Sequence, residues 1–235
     1  MTQESQAPGT SPGEAPSAVY RIRRYLRKYG LRSGVQRATG AVRQALVLDE
    51  THIWYELDLT AERPRVELAP EFSFRRATAA ELPLIEALPT VSLVEAERRV
   101  AAGNELWFVM AGSQPAFACW TFPREMPVLS APGGTLTIPE GTVCLEDSVT
   151  SPDFRGRRLA PAAWTLLADR MQEEGVRSII TKIGEDNAAS RKAILKSGFV
   201  EVGSARFRRV AGRRNSSITT SADTPAANSL RSQFS

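Results

Sequence analysis

The hydrophobic and polar positions from residue 72 onward follow strand and helix periods in alternation, and each stretch ends at glycine, proline or polar turn residues. The predicted elements are, in order, a strand at 72–77, helices at 79–88 and 92–102, strands at 105–111 and 115–122, strand residues at 135–150, a helix at 159–174, a strand at 176–183, a helix at 187–196 and a strand at 199–210. This order predicts an α+β fold in which a mixed, mostly antiparallel central sheet is flanked by helices.

Three local signals refine these elements. Thr78 with Glu81, and Ser92 with Glu95, have the spacing of capping boxes at the start of the first two helices. The turn at 112–113 predicts a hairpin between the strands at 105–111 and 115–122. A Pro-Glu-Gly break at 139–141 predicts a second hairpin, formed within residues 135–150.

The ends of the chain have other patterns, and we expect four segments. These are a disordered tail at 1–17, a basic helical extension with one strand at 18–70, a larger α+β domain at 71–210, and a polar, disordered tail at 211–235. The extension contains a predicted helix at 19–29, a second short helix at 35–47 and a strand at 53–59.

Composition narrows the class of protein. Hydrophobic residues make up 42% of the chain and charged residues 24%, as in globular proteins, and no apolar run approaches the roughly 20 residues of a membrane span. Cys119 and Cys144 lie in apolar surroundings and are expected to be reduced core residues, so we expect a cytoplasmic protein. With a single histidine, His52, we expect no metal site, and a cysteine nucleophile paired with His52 has no supporting signature.

The formal net charge of +4 is concentrated near the N-terminus, because residues 20–43 contain eight Lys or Arg residues and no acid. Two interpretations stay open. In the first, the apolar side of the helix at 19–29 packs on the domain. In the second, the segment makes weak contact with anionic lipid or RNA, and the protein can then lie peripheral to a membrane.

The most informative segment runs from Val149 to Ala162. A strand, a short basic loop with Gly156 and a helix whose first turn contains Pro161 predict an anion site, because free backbone N–H groups and the positive helix end converge there. Arg155, Arg157 and Arg158 add positive charge that suits a pyrophosphate and a 3′-phosphate.

The residues in and after this loop resemble the GNAT superfamily of acyl-CoA N-acyltransferases. The stretch 155–160, Arg-Gly-Arg-Arg-Leu-Ala, resembles the family's acyl-CoA motif, and the residues at 187–190 and 196–199 resemble its second motif. The resemblance covers about residues 72–210 and is sharpest over 145–202. Two positions depart from the family pattern. Arg158 stands where the motif usually has its first glycine, and Ile194 stands where many members have a tyrosine that acts as a general acid.

The resemblance implies that an acetyl group passes from acetyl-CoA, the cosubstrate, directly to a primary amine. It implies a carboxylate base, for which Glu146 is the first candidate and Asp147 the second. The implied cofactor-binding residues are Ser148, Val149, Thr150, Arg155, Gly156, Arg157, Arg158, Leu159, Ala160 and Asn187. The acceptor is expected to contact the variable segments 79–102 and 123–141. Two alternatives stay open: transfer of a longer acyl chain from CoA or an acyl-carrier protein, and non-catalytic acyl-CoA binding or a scaffold role.

Overall fold

The structure is a computed structural model that describes residues 47–128, 130–210 and 213–234. The chain divides into a compact unit of residues 49–209 with 213–235 and a second unit of residues 1–48 with 210–212. Nearly all of the second unit lies outside the described residues, and so do the tail predicted at 1–17, the helix predicted at 19–29 and the lipid or RNA contact predicted for residues 20–43. The helix predicted at 35–47 also lies outside them except for Val47, which begins a strand.

The described residues form ten strands, four α-helices and three short 3₁₀ helices. The strands are β1 (Val47–Asp58), β2 (Phe72–Arg76), β3 (Glu105–Ala111), β4 (Gln114–Phe122), β5 (Glu125–Pro127), β6 (Thr135–Thr137), β7 (Thr142–Thr150), β8 (Ser178–Gly184), β9 (Val200–Val210) and β10 (Arg213–Thr220). The α-helices are α1 (Leu93–Ala101), α2 (Leu159–Glu173), α3 (Ala188–Lys196) and α4 (Pro225–Gln233). The 3₁₀ helices are Ala79–Ala87, Pro132–Gly134 and Pro152–Phe154.

Eight strands form one sheet in the order β10-β9-β1-β8-β7-β4-β3-β2, and β5 and β6 form a separate pair. Pairing is parallel between β7 and β8, and antiparallel in β1–β8, β2–β3, β3–β4 and β4–β7. The predicted α+β fold with a mixed sheet is therefore confirmed. Among the described residues, no helix has both the length and the hydropathy that a bilayer crossing requires.

The sheet separates two hydrophobic clusters, because successive side chains of a strand point to opposite faces. Trp54, Trp120 and Cys144 belong to the first cluster, which also includes Leu230 of α4. Neighbouring strand residues, with Leu159 and Leu167 of α2, belong to the second. Each large apolar side chain buried in this way contributes about 1.5–3 kcal/mol.

The hairpin predicted within residues 135–150 is wrong. β6 pairs with β5 through Met126 and Leu136, and β7 pairs instead with β4 on one side and β8 on the other. Both edges of β7 are therefore occupied, which leaves no edge for β6. The turn at Pro139–Gly141 separates the two strands, with Thr142 N donating to Pro139 O.

The prediction of a disordered C-terminal tail is also wrong, because residues 213–220 form β10 and residues 225–233 form α4. Thr224 caps α4 by accepting a hydrogen bond from Ala227 N, and Leu230 is buried. Gln233 both donates to Thr137 O, at 2.8 Å, and accepts from Thr137 N, at 2.7 Å. The sequence of this segment is mostly polar because an edge strand and a surface helix bury few of their residues.

The boundary predicted at residue 70 also differs from the structure. β1 lies between β8 and β9, in the interior of the same sheet, with Trp54 paired to Lys182 and Tyr55 paired to Thr181. The strand predicted at 53–59 is thus part of a longer strand that belongs to the central domain. Its position brings residues from the N-terminal side of the chain to the widest part of the site.

Candidate active site

β7 and β8 start as neighbours and then separate. Their parallel pairing runs from Thr142 with Ser178 to Cys144 with Ile180, although β7 continues to Thr150 and β8 to Gly184. A cavity of about 860 Å³ opens between the diverging ends and continues to the start of α2 and to α3. Because strands left unpaired expose their backbone N–H and C=O groups, the cavity walls offer main-chain donors and acceptors.

A β-bulge shapes the β7 wall. Ala118 pairs with Val149, and Trp120 pairs with Glu146, so that Asp147 and Ser148 together lie opposite one residue of β4. Asp147 has a φ of +50°, in the left-handed region that favours glycine. The Ser148 hydroxyl accepts a hydrogen bond of 3.1 Å from the indole N–H of Trp164 on α2. The bulge is therefore held from the α2 side.

The loop between β7 and α2 forms the outer end of the cavity. Gly156 has a φ of +79°, and a Cβ placed on it would meet no atom of the described residues within 4 Å. The loop is therefore open above its backbone. The first amides of α2 lack intrahelical acceptors, and Leu159 and Ala160 line the cavity. Open space, free amides and a positive helix end are the features that a phosphate group requires, so this end fits the pyrophosphate of an acyl-CoA.

The arginines of the loop divide into two kinds. Arg155 and Arg158 line the cavity, whereas Arg157 places its guanidinium 5.5 Å from the ring centre of Phe154 and is not part of the lining. Arg158 is the residue before α2 and has a φ of +59°. A left-handed conformation at this point explains why glycine would fit there without strain.

Nine of the ten predicted cofactor residues line this one cavity. They are Ser148, Val149, Thr150, Arg155, Gly156, Arg158, Leu159, Ala160 and Asn187. Asn187 also caps α3, since its Oδ1 accepts from Ser190 N at 3.2 Å. Ile194 lines the same wall with an apolar side chain.

Glu146, the first candidate base, lies in the gap but is held in an ion pair. Its Oε2 is 2.5 Å from Lys182 Nζ, and the two side chains are only 12% and 15% exposed. Burial raises the pKa of Glu146, and the charge of Lys182 opposes that shift. Burial would lower the pKa of Lys182, but the attraction of Glu146 outweighs it and raises that pKa.

Asp147, the second candidate, is also paired. Its Oδ2 is 2.6 Å from Nη1 of Arg99 on α1, and Arg99 also pairs with Glu95. The guanidinium of Arg99 lies 5.2 Å from the ring centre of Trp120. Asp147 therefore ties the bulge to α1, and its side chain is more exposed than that of Glu146.

His52 is a cavity residue that the sequence analysis set aside. It lies on β1 opposite Gly184, and two residues further Trp54 lies opposite Lys182. Burial and, next, the charge of Lys182 lower the pKa of His52 below its usual value. Nothing in the local sequence around His52 indicates chemistry, because its place beside the cavity depends on the pairing of β1 with β8, more than 120 residues away.

Comparison with known proteins agrees with this geometry. Residues 98–199 match the model of the acetyltransferase (GNAT) family. The chain is similar to a solved structure from Novosphingobium aromaticivorans assigned to the GNAT family, with a TM-score of 0.50 and 15% identity over 74% of this chain. It is also similar to a solved Drosophila protein, with a TM-score of 0.51 and 14% identity over 76% of this chain. The chain spans 66% and 57% of the lengths of these two proteins. No curated protein matches it.

Proposed function

We propose that this chain, which belongs to the GNAT acetyltransferase family through its domain at residues 98–199, transfers an acetyl group from acetyl-CoA to a primary amine. The observation that carries the proposal is the continuity of one cavity from the anion-binding loop at 155–160 to the gap between β7 and β8. A ligand with a phosphate-bearing end and a narrow, extended arm fits such a cavity along its whole length.

In this proposal the loop binds the pyrophosphate of the cosubstrate. The amides at the start of α2 donate to phosphate oxygens, and Arg155 and Arg158 add charge from the cavity wall. The pantetheine arm lies between the separated strands, where the amides of residues 148–150 and the side chain of Asn187 are available to it. The bulge at Asp147 sets the direction of those amides. N–H groups that point at the thioester oxygen stabilise the charge that develops there during attack.

The chemistry needs few further groups. Holding the amine against the thioester removes much of the entropic cost of a reaction between two molecules. The amine must also lose a proton, and a carboxylate is the base that family resemblance implies. Glu146 and Asp147 are the candidates, and each is in an ion pair. Cys119 and Cys144 are unpaired and buried, which supports a cytoplasmic location as part of the same proposal.

The loop assignment is tested by calorimetry of acetyl-CoA binding to three charge reversals. Arg155→Glu and Arg158→Glu should each weaken binding at least about tenfold, or about 1.4 kcal/mol, because each places a negative charge in the cavity wall. Arg157→Glu is the matched control, since Arg157 lies over Phe154, and it should weaken binding by less than about threefold. Equal losses in all three variants, or none, would contradict the assignment.

Acyl specificity is tested separately by thiol release. Acetyl-, succinyl- and palmitoyl-CoA are each offered with a panel of primary amines. Acetyl-CoA should be the preferred donor, because the bulky side chains of Ile194 and Trp164 line the cavity and would compete with a long acyl chain for its space. Preference for palmitoyl-CoA would favour the longer-chain alternative. Binding of acetyl-CoA without thiol release from any donor would favour a non-catalytic role.

A further inference from the structure

The cavity contains one titratable side chain that is free to take a proton. Glu146 and Asp147 are held by Lys182 and Arg99, but in the part of the chain that the structure describes no side-chain hydrogen bond or ion pair engages His52. We propose that His52 is the catalytic base that takes the proton from the acceptor amine. This inference rests on the acyltransferase function proposed above.

The strand register places His52 beside the buried ion pair. β1 is antiparallel to β8, with His52 opposite Gly184 and Trp54 opposite Lys182. His52 and Trp54 are two residues apart, so they lie on one face of the sheet, and Lys182 and Gly184 share that face. His52 and Lys182 are therefore diagonal neighbours across the two strands, and the Cα atoms of such neighbours are about 7–8 Å apart. Gly184 has no side chain, and a Cβ placed on it would lie 2.9 Å from Oδ1 of Asp186, so the Asp186 carboxylate covers this position opposite His52.

Glu146 is poorly suited to the same task. Its carboxylate is 2.5 Å from the Lys182 ammonium, and both side chains are mostly buried. If Glu146 took the amine proton, Lys182 would be left as a buried charge without its partner, which is strongly unfavourable. The Glu146–Lys182 pair is better suited to fix the spacing of β7 and β8. Protonation of His52 breaks no ion pair, and its cost comes from burial and from the charge of Lys182, which lower its pKa.

Burial and the charge of Lys182 favour the neutral form of His52. Burial lowers its pKa most, Lys182 lowers it further, and Glu50 and Asp186 raise it, with a net lowering from 6.5. The other charged or titratable groups that line the two cavities that His52 borders are Asp49, Glu185, Arg206, Glu146, Asp147, Arg155 and Arg158. A histidine that is neutral near pH 7 can accept a proton, and that is the requirement for a general base.

The protonated amine gives one proton to the free ring nitrogen of His52, and the freed lone pair forms a C–N bond with the thioester carbonyl carbon. The C–S bond breaks, and sulfur leaves with the bonding electron pair. The second proton on nitrogen goes to that sulfur, and the third stays on the amide. His52 then releases its proton to solvent.

Two small amines separate base catalysis from structural effects. Methylamine is protonated at neutral pH and needs a base, whereas hydroxylamine is largely unprotonated and does not. Thiol release from acetyl-CoA is measured for wild type, His52→Ala and His52→Asn, after subtraction of the uncatalysed rate. With methylamine at pH 7, both variants should lose about 100-fold or more in kcat/KM. With hydroxylamine, and in acetyl-CoA affinity by calorimetry, they should change by less than about threefold.

The pH profile and chemical rescue add readouts that a structural role would not move. Wild-type kcat/KM should rise with pH through the lowered pKa of His52 and level off near pH 7. In His52→Ala it should instead keep rising into the alkaline range, as the amine loses its own proton. Added imidazole should restore methylamine turnover in His52→Ala. The control Glu50→Gln, on the same strand but outside the acyl-CoA cavity, should keep wild-type turnover at pH 8.

The outcomes are distinct. The proposal would be overturned if both His52 variants kept full activity with methylamine and Glu146→Gln lost the rise of kcat/KM at acidic pH. Glu146 would then be the base. Equal losses with both amines in both variants, without imidazole rescue, would also overturn it, because they indicate a structural role. Wild-type protein that binds acetyl-CoA and acetylates neither amine would overturn the proposed function and this proposal with it.

Discussion

Replacing Lys182 by methionine isolates the energetics of the buried pair in the gap. The change keeps a side chain of similar length but leaves the Glu146 carboxylate without its cation, and only 12% of that carboxylate side chain is exposed. Removing one partner of a buried pair costs about 3–5 kcal/mol. Against a domain stability of about 5–15 kcal/mol, such a loss is large. For a chain of this length the expected fall in Tm is roughly 6–20 °C.

A second substitution, at Glu146, tests whether the loss of stability comes from the unpaired Glu146 carboxylate. Glu146→Gln in the Lys182→Met background removes that charge and should recover most of the free energy of unfolding. In Lys182→Met alone, burial raises the pKa of Glu146 without opposition, so the native state binds the proton more tightly than the unfolded state does. Its stability should therefore rise as pH falls from the raised native pKa towards the unfolded value of about 4.3, and the deficit should be greatest at neutral pH.

The free energy of unfolding in urea, measured at pH 5 and pH 7 for wild type, both single variants and the double variant, gives a double-mutant cycle. We expect a coupling energy of at least about 2 kcal/mol at pH 7 and a smaller one at pH 5. A double variant that is no more stable than Lys182→Met, or a deficit that is the same at both pH values, would refute the reasoning. In either case lost packing around the Lys182 stem, and not electrostatics, would account for the effect.

Two further predictions concern backbone strain and the C-terminal helix. Arg158→Gly should be about 1 kcal/mol more stable than Arg158→Ala in urea unfolding, since only glycine relieves the φ of +59°, and equal stabilities would contradict the left-handed conformation. Leu230→Ala should lower the free energy of unfolding by about 2–5 kcal/mol, because Leu230 is fully buried, whereas the exposed control Ser232→Ala should change it by less than about 0.5 kcal/mol. A Leu230→Ala variant as stable as its control would show that α4 is not packed on the domain.

The strand, loop and helix around Gly156 were predictable because all of their determinants are local. A strand, Gly156, neighbouring arginines and a helix start occur within fourteen residues, and chain connectivity alone brings them together. The caps at Ser92 and Asn187 are equally local, and the structure has both, with Oγ of Ser92 accepting from Glu95 N and Oδ1 of Asn187 accepting from Ser190 N. Arg157 shows the limit of such reasoning, since neighbouring arginines differ in direction, and direction depends on the backbone conformation at Gly156 and Arg158.

Strand pairing was less predictable, because it depends on which edges are free. The chain from Thr135 to Thr150 has the composition of a hairpin, and only the three-dimensional sheet, in which β4 and β8 already flank β7, rules that hairpin out. The ion pairs of Glu146 and Asp147 are long-range in the same sense. Their partners lie 36 and 48 residues away, so nothing near Glu146 in sequence indicates that its charge is already compensated.

The place of β1 explains why the proposed base would be missed by any reading confined to the family motif. The family match begins at residue 98, whereas His52 lies 46 residues before it and enters the site only because β1 fills the position between β8 and β9. A motif contains the residues that its own elements align, which here are the loop at 155–160 and the strands on either side of the gap. The group that completes the proposed proton transfer belongs to a strand outside that alignment. Its role therefore has to be argued from sheet register, from the place of His52 in the cavity lining and from the absence of a competing ion pair at His52 among the described residues.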